Sequence, residues 1–520
     1  MLPGVPRLEP SKEALTRAVA DDPRALRPLW RRIVCDGDTP VRAFAALKAR
    51  FEPAFLLESV VGGERWARYS FIGVGARAHL QGRFRGRDLE VSFGPGEGFS
   101  VPALAEGLTG HAALEAALEA FSASPEPRLP RFWGGWVGVF GHDYVRSVEA
   151  LPRPTRDGDG DDALPAFELV LPHTLVVFDN LSSEVFVVTA LSPRDDGGLD
   201  AAYQAGAARI EEVVGVLASG APLRPLALDD VEARAPSLSP AWRAGHAYQA
   251  LVREAKSFIE RGDIFQVVLS QRFDTPAEEV EMLDVYRALR VTNPAPYMYA
   301  LELGSATLVG ASPEVLVRVD RDDRAVTVRP IAGTRRRGAT EEEDLELERE
   351  LLADPKERAE HLMLIDLGRN DVGRVSEAGS VRPTARFVIE RYSKVMHIVS
   401  EVTGTLRAGL TPLDALRATF PAGTLSGAPK VRALEIIDAL EPAARGWYGG
   451  AVGYLGLDGG ADFAICIRSA VSHGGVVRVQ AGAGVVHDSS PEAEDEECYK
   501  KAAAVHVAID MARATREVTP

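Results

Sequence analysis

Residues 248–273 read YQALVREAKSFIERGDIFQVVLSQRF. Tyr248, Leu251, Val252, Ala255, Phe258 and Ile259 recur at intervals of three and four, the spacing that gathers apolar side chains on one face of a helix. Gly262 stands where a helix commonly hands over its chain through a left-handed residue, and Ile264–Phe273 follows as a strand. Helix gives way to sheet here. Working outward through the same half of the chain, further strands are expected at Tyr297–Leu303, Ala325–Arg329, Gly450–Leu455, Ala464–Ser469 and Val476–Ala481. Helices are expected at Glu342–Leu352, Lys356–Leu367, Leu413–Thr419, Lys430–Leu440 and Glu492–Arg513. Strands in runs, with helices between the groups, predict an α+β fold rather than a strictly alternating parallel sheet. Upstream, Thr174–Phe178 and Val185–Thr189 read as strands and Leu199–Leu217 as an Ala-rich helix. Pro152–Pro165 and Gly220–Pro240, crowded with turn formers, read as connectors. The second divides the chain into an N-terminal α/β region, residues 1–235, and a C-terminal region, residues 240–520, where the chemistry is concentrated.

The composition limits what that chemistry is. The chain has 520 residues, 46% hydrophobic and 26% charged, with 75 Asp+Glu against 59 Lys+Arg for a net charge of −16. Such a chain buries cores without disulfides or metals as staples. The acidic balance repels phosphate backbones and anionic lipid, which argues against nucleic acid or a membrane as partner, and an anionic small substrate then requires a local cation. Three cysteines, Cys35, Cys466 and Cys498, form no CxxC pair, so a reducing compartment is expected. The N-terminus has no apolar signal core, and the most apolar run, Phe167–Phe178, is broken by Pro172 and His173 and falls short of the roughly 18 residues of a membrane span. A cytoplasmic protein is expected.

Two helices carry carboxylates three residues apart: Glu357 and Glu360, beside His361, and Glu494 and Glu497, with Lys501 four residues on. Such pairs either lie on solvated faces or together hold a hard divalent cation through oxygen ligands and water. The Gly-rich Val479–Gly484 follows a strand and either makes a tight turn or brings backbone N–H groups close to a carboxylate. It is not a dinucleotide fingerprint, because His487 replaces the third glycine, and Gly423–Lys430 (GTLSGAPK) is not a phosphate-binding P-loop. Arg468, inside the apolar AICIRSAV, is either half of a structural ion pair or a carboxylate clamp. His397 is either a proton carrier or a core histidine.

Six segments then point one way: Gly262–Ser270 (GDIFQVVLS), Gly310–Glu314 (GASPE), Pro330–Thr334 (PIAGT), Glu360–Asp371 (EHLMLIDLGRND), Phe420–Lys430 (FPAGTLSGAPK) and Gln480–Val485 (QAGAGV). In this order they resemble the chorismate-utilising enzymes. The whole chain resembles the large, aminase subunits of anthranilate synthases, with a thinner match through Leu56–Ser59 (LLES) and Arg68–Ser70. The resemblance implies stacked β-sheets flanked by helices, with the active site in a cleft between them. It implies Mg2+ held by Glu360 and Glu497, with Glu357 and Glu494 supporting through water. It implies chorismate contacts from Gly333, Thr334, Tyr448, Arg468, Lys501 and the amides of Gly482, Ala483 and Gly484.

The implied reaction is attack of ammonia at C2 of chorismate with loss of the C4 hydroxyl, then elimination of pyruvate. Glu314 is the implied general acid, its pKa raised by burial or nearby charge, and His397 orients groups or moves a proton in the elimination. No cysteine lies in a glutaminase elbow, so ammonia is expected from a glutamine amidotransferase subunit, in a heterotetramer of two large and two small subunits. Feedback inhibition by L-tryptophan is implied at a separate pocket formed by Ser59 and Pro296, Tyr297 and Met298, to which residues 1–235 contribute. Three rivals are weighed. Aminodeoxychorismate synthase has a nucleophilic lysine at the position of Ala332, and isochorismate or salicylate synthases have a lysine base at the position of Gln266; alanine and glutamine supply neither function. A non-catalytic tryptophan-binding homologue conflicts with intact Glu314, Glu360, Arg468 and Glu497.

Overall fold

The structure is a computed structural model that describes residues 8–22, 25–60, 68–123, 125–151, 163–220, 222–227, 245–392 and 395–517. Most of both expected connectors, 152–162 and, in the second, 221 and 228–240, lies outside the described residues. Two long strands organise everything else. Tyr69–Arg85 and Phe167–Asp179 pair antiparallel from Tyr69 opposite Asp179 to Gly82 opposite Phe167, with a register shift between Ala76 and Ala78. The halves on either side of that shift belong to different layers.

On one side the pair is flanked by Ala54–Glu58 and Glu184–Leu191. Ala54–Glu58 leads outward through Tyr297–Glu302, Thr307–Ser312, Ser469–His473, Val476–Val485 and Gln266–Pro276. On the other side the pair is flanked by Asp88–Pro95 and Gly135–Phe140. Gly135–Phe140 leads through Ala451–Gly456, Ala461–Ile465, Val315–Val319 and Ala325–Val328 to Val395–Thr405, which also pairs with Ile331–Arg336 and Arg382–Arg391. All these pairings are antiparallel, so the expected α+β class, with stacked sheets and flanking helices, is what folds.

Apolar side chains from both layers meet between them: Phe55, Tyr299, Leu301 and Leu308 from one, Val139, Val452, Tyr454 and Ala464 from the other. This explains why Phe167–Phe178 is so apolar. Buried on both faces at the corner, it has no solvated side to alternate toward. Helices Pro40–Lys48, Leu199–Ser219, Met282–Thr292 and Pro491–Glu517 close the first layer, where Lys430–Leu440 also packs on Gln266–Pro276, and Pro412–Thr419 packs on Val315–Val319 of the second. Among the described residues no helix is long and apolar enough to cross a membrane.

The sequence division near residue 235 is not a division in space, since Ala54–Glu58 pairs with Tyr297–Glu302 and Gly135–Phe140 with Ala451–Gly456. A second departure concerns AICIRSAV. It is not one strand: Ala461–Ile465 and Ser469–His473 are separated by a turn at Cys466–Arg468, where Arg468 adopts φ 53°. Bonds from Gly449 N–H to Cys466 O (2.9 Å) and Ala311 N–H to Arg468 O (3.1 Å) hold that turn.

The inter-layer core gives a stability test. The Phe55 ring is 1% exposed and lies over Gly73, where a Cβ would come within 2.1 Å of it. Phe55→Ala leaves a void between two sheets that cannot collapse independently, and is expected to lower stability by about 3–5 kcal/mol, read as a drop in urea midpoint.

Candidate active site

The cavity lies between strand ends of the two layers, Val476–Val485 and Gln266–Pro276 from the first and Ile331–Arg336 and Val395–Thr405 from the second. Val476–Val485 pairs with Gln266–Pro276 so that Gly484 faces Val268, Ala483 faces Leu269 and Gly482 faces Ser270. Val268 and Ser270 send their N–H groups away from this ladder, to Ser426 O (2.9 Å) and Glu441 Oε1 (2.8 Å). By the alternation of antiparallel pairs, Gly482 and Gly484 also direct their N–H groups outward, while that of Ala483 belongs to the ladder. Ala483 is fully buried and is absent from the cavity wall, which corrects its expected place among the exposed amides. Close approach requires the glycines: a Cβ at Gly482 would lie 2.9 Å from the Tyr448 hydroxyl, and one at Gly484 would lie 2.8 Å from Gln266 Nε2.

Around these glycines opens a cavity of about 580 Å³. It gathers every other residue expected at the catalytic, substrate and metal positions: Glu314, Gly333, Thr334, Glu357, Glu360, His397, Tyr448, Arg468, Glu494, Glu497 and Lys501. The helix Pro355–Gly373 brings Glu357 and Glu360, its start fixed by Pro355 and by Asp354, which accepts from the N–H groups of Lys356 and Glu357. Pro491–Glu517 brings Glu494, Glu497 and Lys501 from the opposite side. Gln266 and Ala332 also line the cavity, with Lys356, Thr424 and Gln480, which the sequence reading did not single out. Thr424 and Gln480 lie inside motifs already quoted; nothing in their own spacing marked them.

The electrostatics are divided. Burial, the Glu357 charge and, more weakly, that of Glu497 raise the pKa of Glu360, and burial with Glu497 raises that of Glu494. Glu357 is partly neutralised by Arg335 at 3.2 Å, and Glu497 is met by Lys501 at 2.6 Å. Carboxylates brought together from two helices, with Glu360 and Glu494 disfavoured in their charged form, fit a hard cation with oxygen ligands. Among the described residues no three carboxylate, imidazole or thiol groups converge as a ready-made metal cluster, so such an ion would complete its shell with water and substrate oxygens. Arg468 supplies a cation beside them: it is half-buried, donates to Lys501 O at 3.0 Å, and is lowered in pKa by desolvation; an entering anion would reverse that penalty.

Two groups are set for proton chemistry. Glu314 is buried, accepts from Thr424 Oγ1 at 3.1 Å, and is pushed up by desolvation to about 8, so it is protonated at neutral pH. His397 Nδ1 lies 3.1 Å from Gly333 O, which can only accept, and 3.0 Å from Thr334 Oγ1, which can donate or accept; with the hydrogen on Nδ1 toward the carbonyl, Nε2 keeps its lone pair. Burial lowers its pKa and keeps the ring neutral.

A second cavity, of about 340 Å³, brings together Ser59, Pro296, Tyr297 and Met298, the four residues expected at the effector pocket. Aromatic walls from Phe71 and Tyr454 face charged groups of both signs, among them Glu58, Arg68, Arg131 and Asp462. Tyr297 donates to Asp462 at 2.8 Å. Tyr299 also lines it, and its hydroxyl lies 2.6 Å from Ser469 Oγ and 3.4 Å from Ile467 O, on either side of Arg468.

A cleft that gathers an arginine, a lysine and outward amides with paired carboxylates and a protonated acid defines an enzyme for a small, multiply anionic substrate. The chain belongs to the family of chorismate binding enzymes, whose match spans residues 67–506, and within it to the anthranilate synthase component 1 branch. It is 46% identical over 514 residues to anthranilate synthase component 1 of Pseudomonas aeruginosa, covering 98% of this chain and 100% of that one. To the Aquifex aeolicus enzyme of the same name it is 42% identical over 495 residues, covering 94% and 96%. Among solved structures it is similar to anthranilate synthase component I from Streptococcus pneumoniae, with TM-score 0.68 and 34% identity over 91% of this chain and 99% of that one. It shares its fold with the menaquinone-specific isochorismate synthase MenF of Escherichia coli, at TM-score 0.65 and 21% identity over 96% and 98% of the chains.

The state of Glu314 sets a pH dependence. Its proton is present below and lost above about 8, so turnover should fall on the alkaline side of that value. Glu314→Gln should lower kcat by roughly 10²–10⁴-fold and abolish that limb. Because the folded value lies above the ordinary 4.5, the contribution of Glu314 to stability is full below 4.5 and is lost as pH rises toward about 8. Thermal unfolding of Glu314→Gln should accordingly be less pH-sensitive than that of the unmodified chain across this window.

Proposed function

We propose that this enzyme converts chorismate and ammonia to anthranilate and pyruvate, in the cytoplasm, as a step toward tryptophan. The observation that carries the reading is the convergence, in one cavity, of a protonated Glu314, a desolvated Arg468 and two carboxylate-bearing helices. Arg468, Lys501 and the N–H groups of Gly482 and Gly484 bind and orient carboxylates of the substrate. Glu360 and Glu497 would hold Mg2+, with Glu357 and Glu494 in support, and when bound the ion supplies positive charge against a substrate carboxylate. Gly333, Thr334 and Tyr448 complete the wall.

Ammonia attacks C2 as the C4 hydroxyl departs. Hydroxide is a poor leaving group, so Glu314 gives it a proton and water leaves, with Thr424 holding the carboxyl in place. His397, neutral and with Nε2 unprotonated, is fitted to orient the substrate or accept a proton as pyruvate is eliminated. Ala332 supplies no amine for a covalent adduct, and Gln266 is neutral at accessible pH and cannot generate hydroxide. These two side chains, both on the cavity wall, favour ammonia as the nucleophile over the isochorismate and aminodeoxychorismate readings. A glutamine amidotransferase subunit delivers the ammonia, in a complex of two large and two small chains. L-tryptophan occupies the second cavity, its indole against the aromatic walls and its ammonium and carboxylate against the charged rim.

Product identity tests the reaction. Chorismate, Mg2+ and ammonium with this chain should give anthranilate and pyruvate in equal amounts, by fluorescence and mass; accumulation of isochorismate or aminodeoxychorismate would overturn it. Glu360→Gln or Glu497→Gln should remove most turnover while the fold persists, and near-normal activity and Mg2+ dependence in Glu497→Gln would refute the metal assignment. Ser59→Phe fills the second cavity and should abolish inhibition by tryptophan with little change in the uninhibited rate. Equal sensitivity in both proteins would sink the effector assignment.

A further inference from the structure

Beneath the wall of the larger cavity lies an ion pair that touches no substrate position. Arg445 and Glu441 are buried, with side chains 0% and 2% exposed. We propose that this pair is a positioning device for catalysis: it fixes the wall residues Thr424, Tyr448 and Gln480 and, through Thr424, the acid Glu314. The proposal rests on the reaction assigned above.

The hydrogen bonds converge from separate parts of the chain. Arg445 donates from Nε to Glu441 Oε2 (2.8 Å), from Nη2 to Glu441 Oε1 (2.6 Å) and Val268 O (2.7 Å), and from Nη1 to Leu425 O (2.7 Å). One planar guanidinium thereby ties the strand Gln266–Pro276 to the Phe420–Lys430 segment. Leu425 is the neighbour of Thr424, whose hydroxyl holds Glu314. Tyr448 bonds through its N–H to Arg445 O (3.1 Å), and its ring lies 5.7 Å from the guanidinium.

Glu441 governs the other side. Its Oε1 accepts from both the N–H and the hydroxyl of Ser270, each at 2.8 Å. The hydroxyl has one proton and spends it on the carboxylate, so Ser270 Oγ must accept from Gln480 Nε2, 2.9 Å away. This chain of donors fixes which way the Gln480 amide faces. Val268, Thr424, Leu425, Tyr448 and Gln480 all line the cavity.

Stability alone does not account for such a pair. Replacing a buried ion pair with apolar residues of similar volume is often neutral or stabilising, because desolvation of two charges offsets their attraction. What apolar residues cannot do is hold two carbonyls, an amide N–H and a hydroxyl at set angles. Removing the pair would free Leu425 and Thr424 to drift, and a displacement of about 1 Å at a reacting group is worth roughly a hundredfold in rate. It would also deprive the Glu314 carboxylate of a donor that lowers its pKa.

The experiment compares the unmodified chain with Glu441→Leu/Arg445→Met, Arg445→Lys, Thr424→Val and Arg445→Lys/Thr424→Val, reading urea midpoint, kcat, KM for chorismate and the alkaline limb. The expected result is a folded Glu441→Leu/Arg445→Met protein with kcat lowered roughly a hundredfold, KM changed less than about threefold, and the alkaline limb moved to higher pH. Thr424→Val should move the limb the same way, and its effect should largely vanish when Arg445 is already lysine, since both changes break one link. A folded paired variant with kcat and limb unchanged would overturn the proposal. If the paired variant does not fold, the Arg445→Lys and Thr424→Val cycle decides, and additive effects there would overturn it equally. Should the unmodified enzyme make a different product from chorismate, the reaction reading fails, and the same cycle read on that product still tests the pair.

Discussion

Everything in this molecule hangs on the pairing of Tyr69–Arg85 with Phe167–Asp179. Because the pair continues through a register shift, one set of backbone hydrogen bonds serves two layers, and neither layer can form its edge without the other. The N-terminal residues are therefore structural partners of the catalytic ones: Ala54–Glu58 borders the strand bearing Tyr297 and Met298, and Gly135–Phe140 borders the strand leading to Glu314's neighbours. The larger cavity forms where strands of the first layer run past their neighbours. Ser469–His473 pairs with Val476–Val479 only, leaving Gly482 and Gly484 at an open edge with their N–H groups turned outward.

On that edge the protein resolves a conflict set by its own charge. A chain of net charge −16 collects carboxylates from two helices in one cavity and sets a half-buried arginine among them. In isolation each side is costly: burial and neighbouring carboxylates raise the pKa of Glu360 and Glu494, and the arginine is deprived of water. An anion at the arginine and a cation between the carboxylates would relieve both at once. Glu314 stands apart. Among the described residues no cation pairs with it at hydrogen-bonding distance, and burial keeps its proton in place.

How much of this was legible in the sequence follows from the length scale of each cause. Lys430–Leu440 has the boundaries its periodicity implies, because packing and capping act within a few turns. The long corner strand Tyr69–Arg85 was not read, because Gly73, Gly75 and Gly82 argue against a strand by propensity; Gly73 and Gly82 are there to admit the rings of Phe55 and Phe167. The break at Cys466–Arg468 was invisible for a similar reason, since an apolar run says nothing of tertiary bonds that force Arg468 to positive φ. Site residues were legible through motifs and not through physics. Spacing left Glu357 and Glu360 as plausibly solvated as functional, and the pairing of Thr424 with Glu314, 110 positions apart, leaves no local trace.

Tyr299 lines the smaller cavity and is hydrogen-bonded toward the turn that carries a residue of the larger. Its ring faces the smaller one, and its hydroxyl is bonded to Ser469 beside the residue whose guanidinium faces the larger. A displacement of this ring would be felt first at the bond to Ser469, the neighbour of Arg468. Were occupancy of the two cavities coupled, thermodynamic reciprocity would apply: a molecule in the smaller that weakened binding in the larger by some factor would itself be weakened by the same factor when the larger is filled.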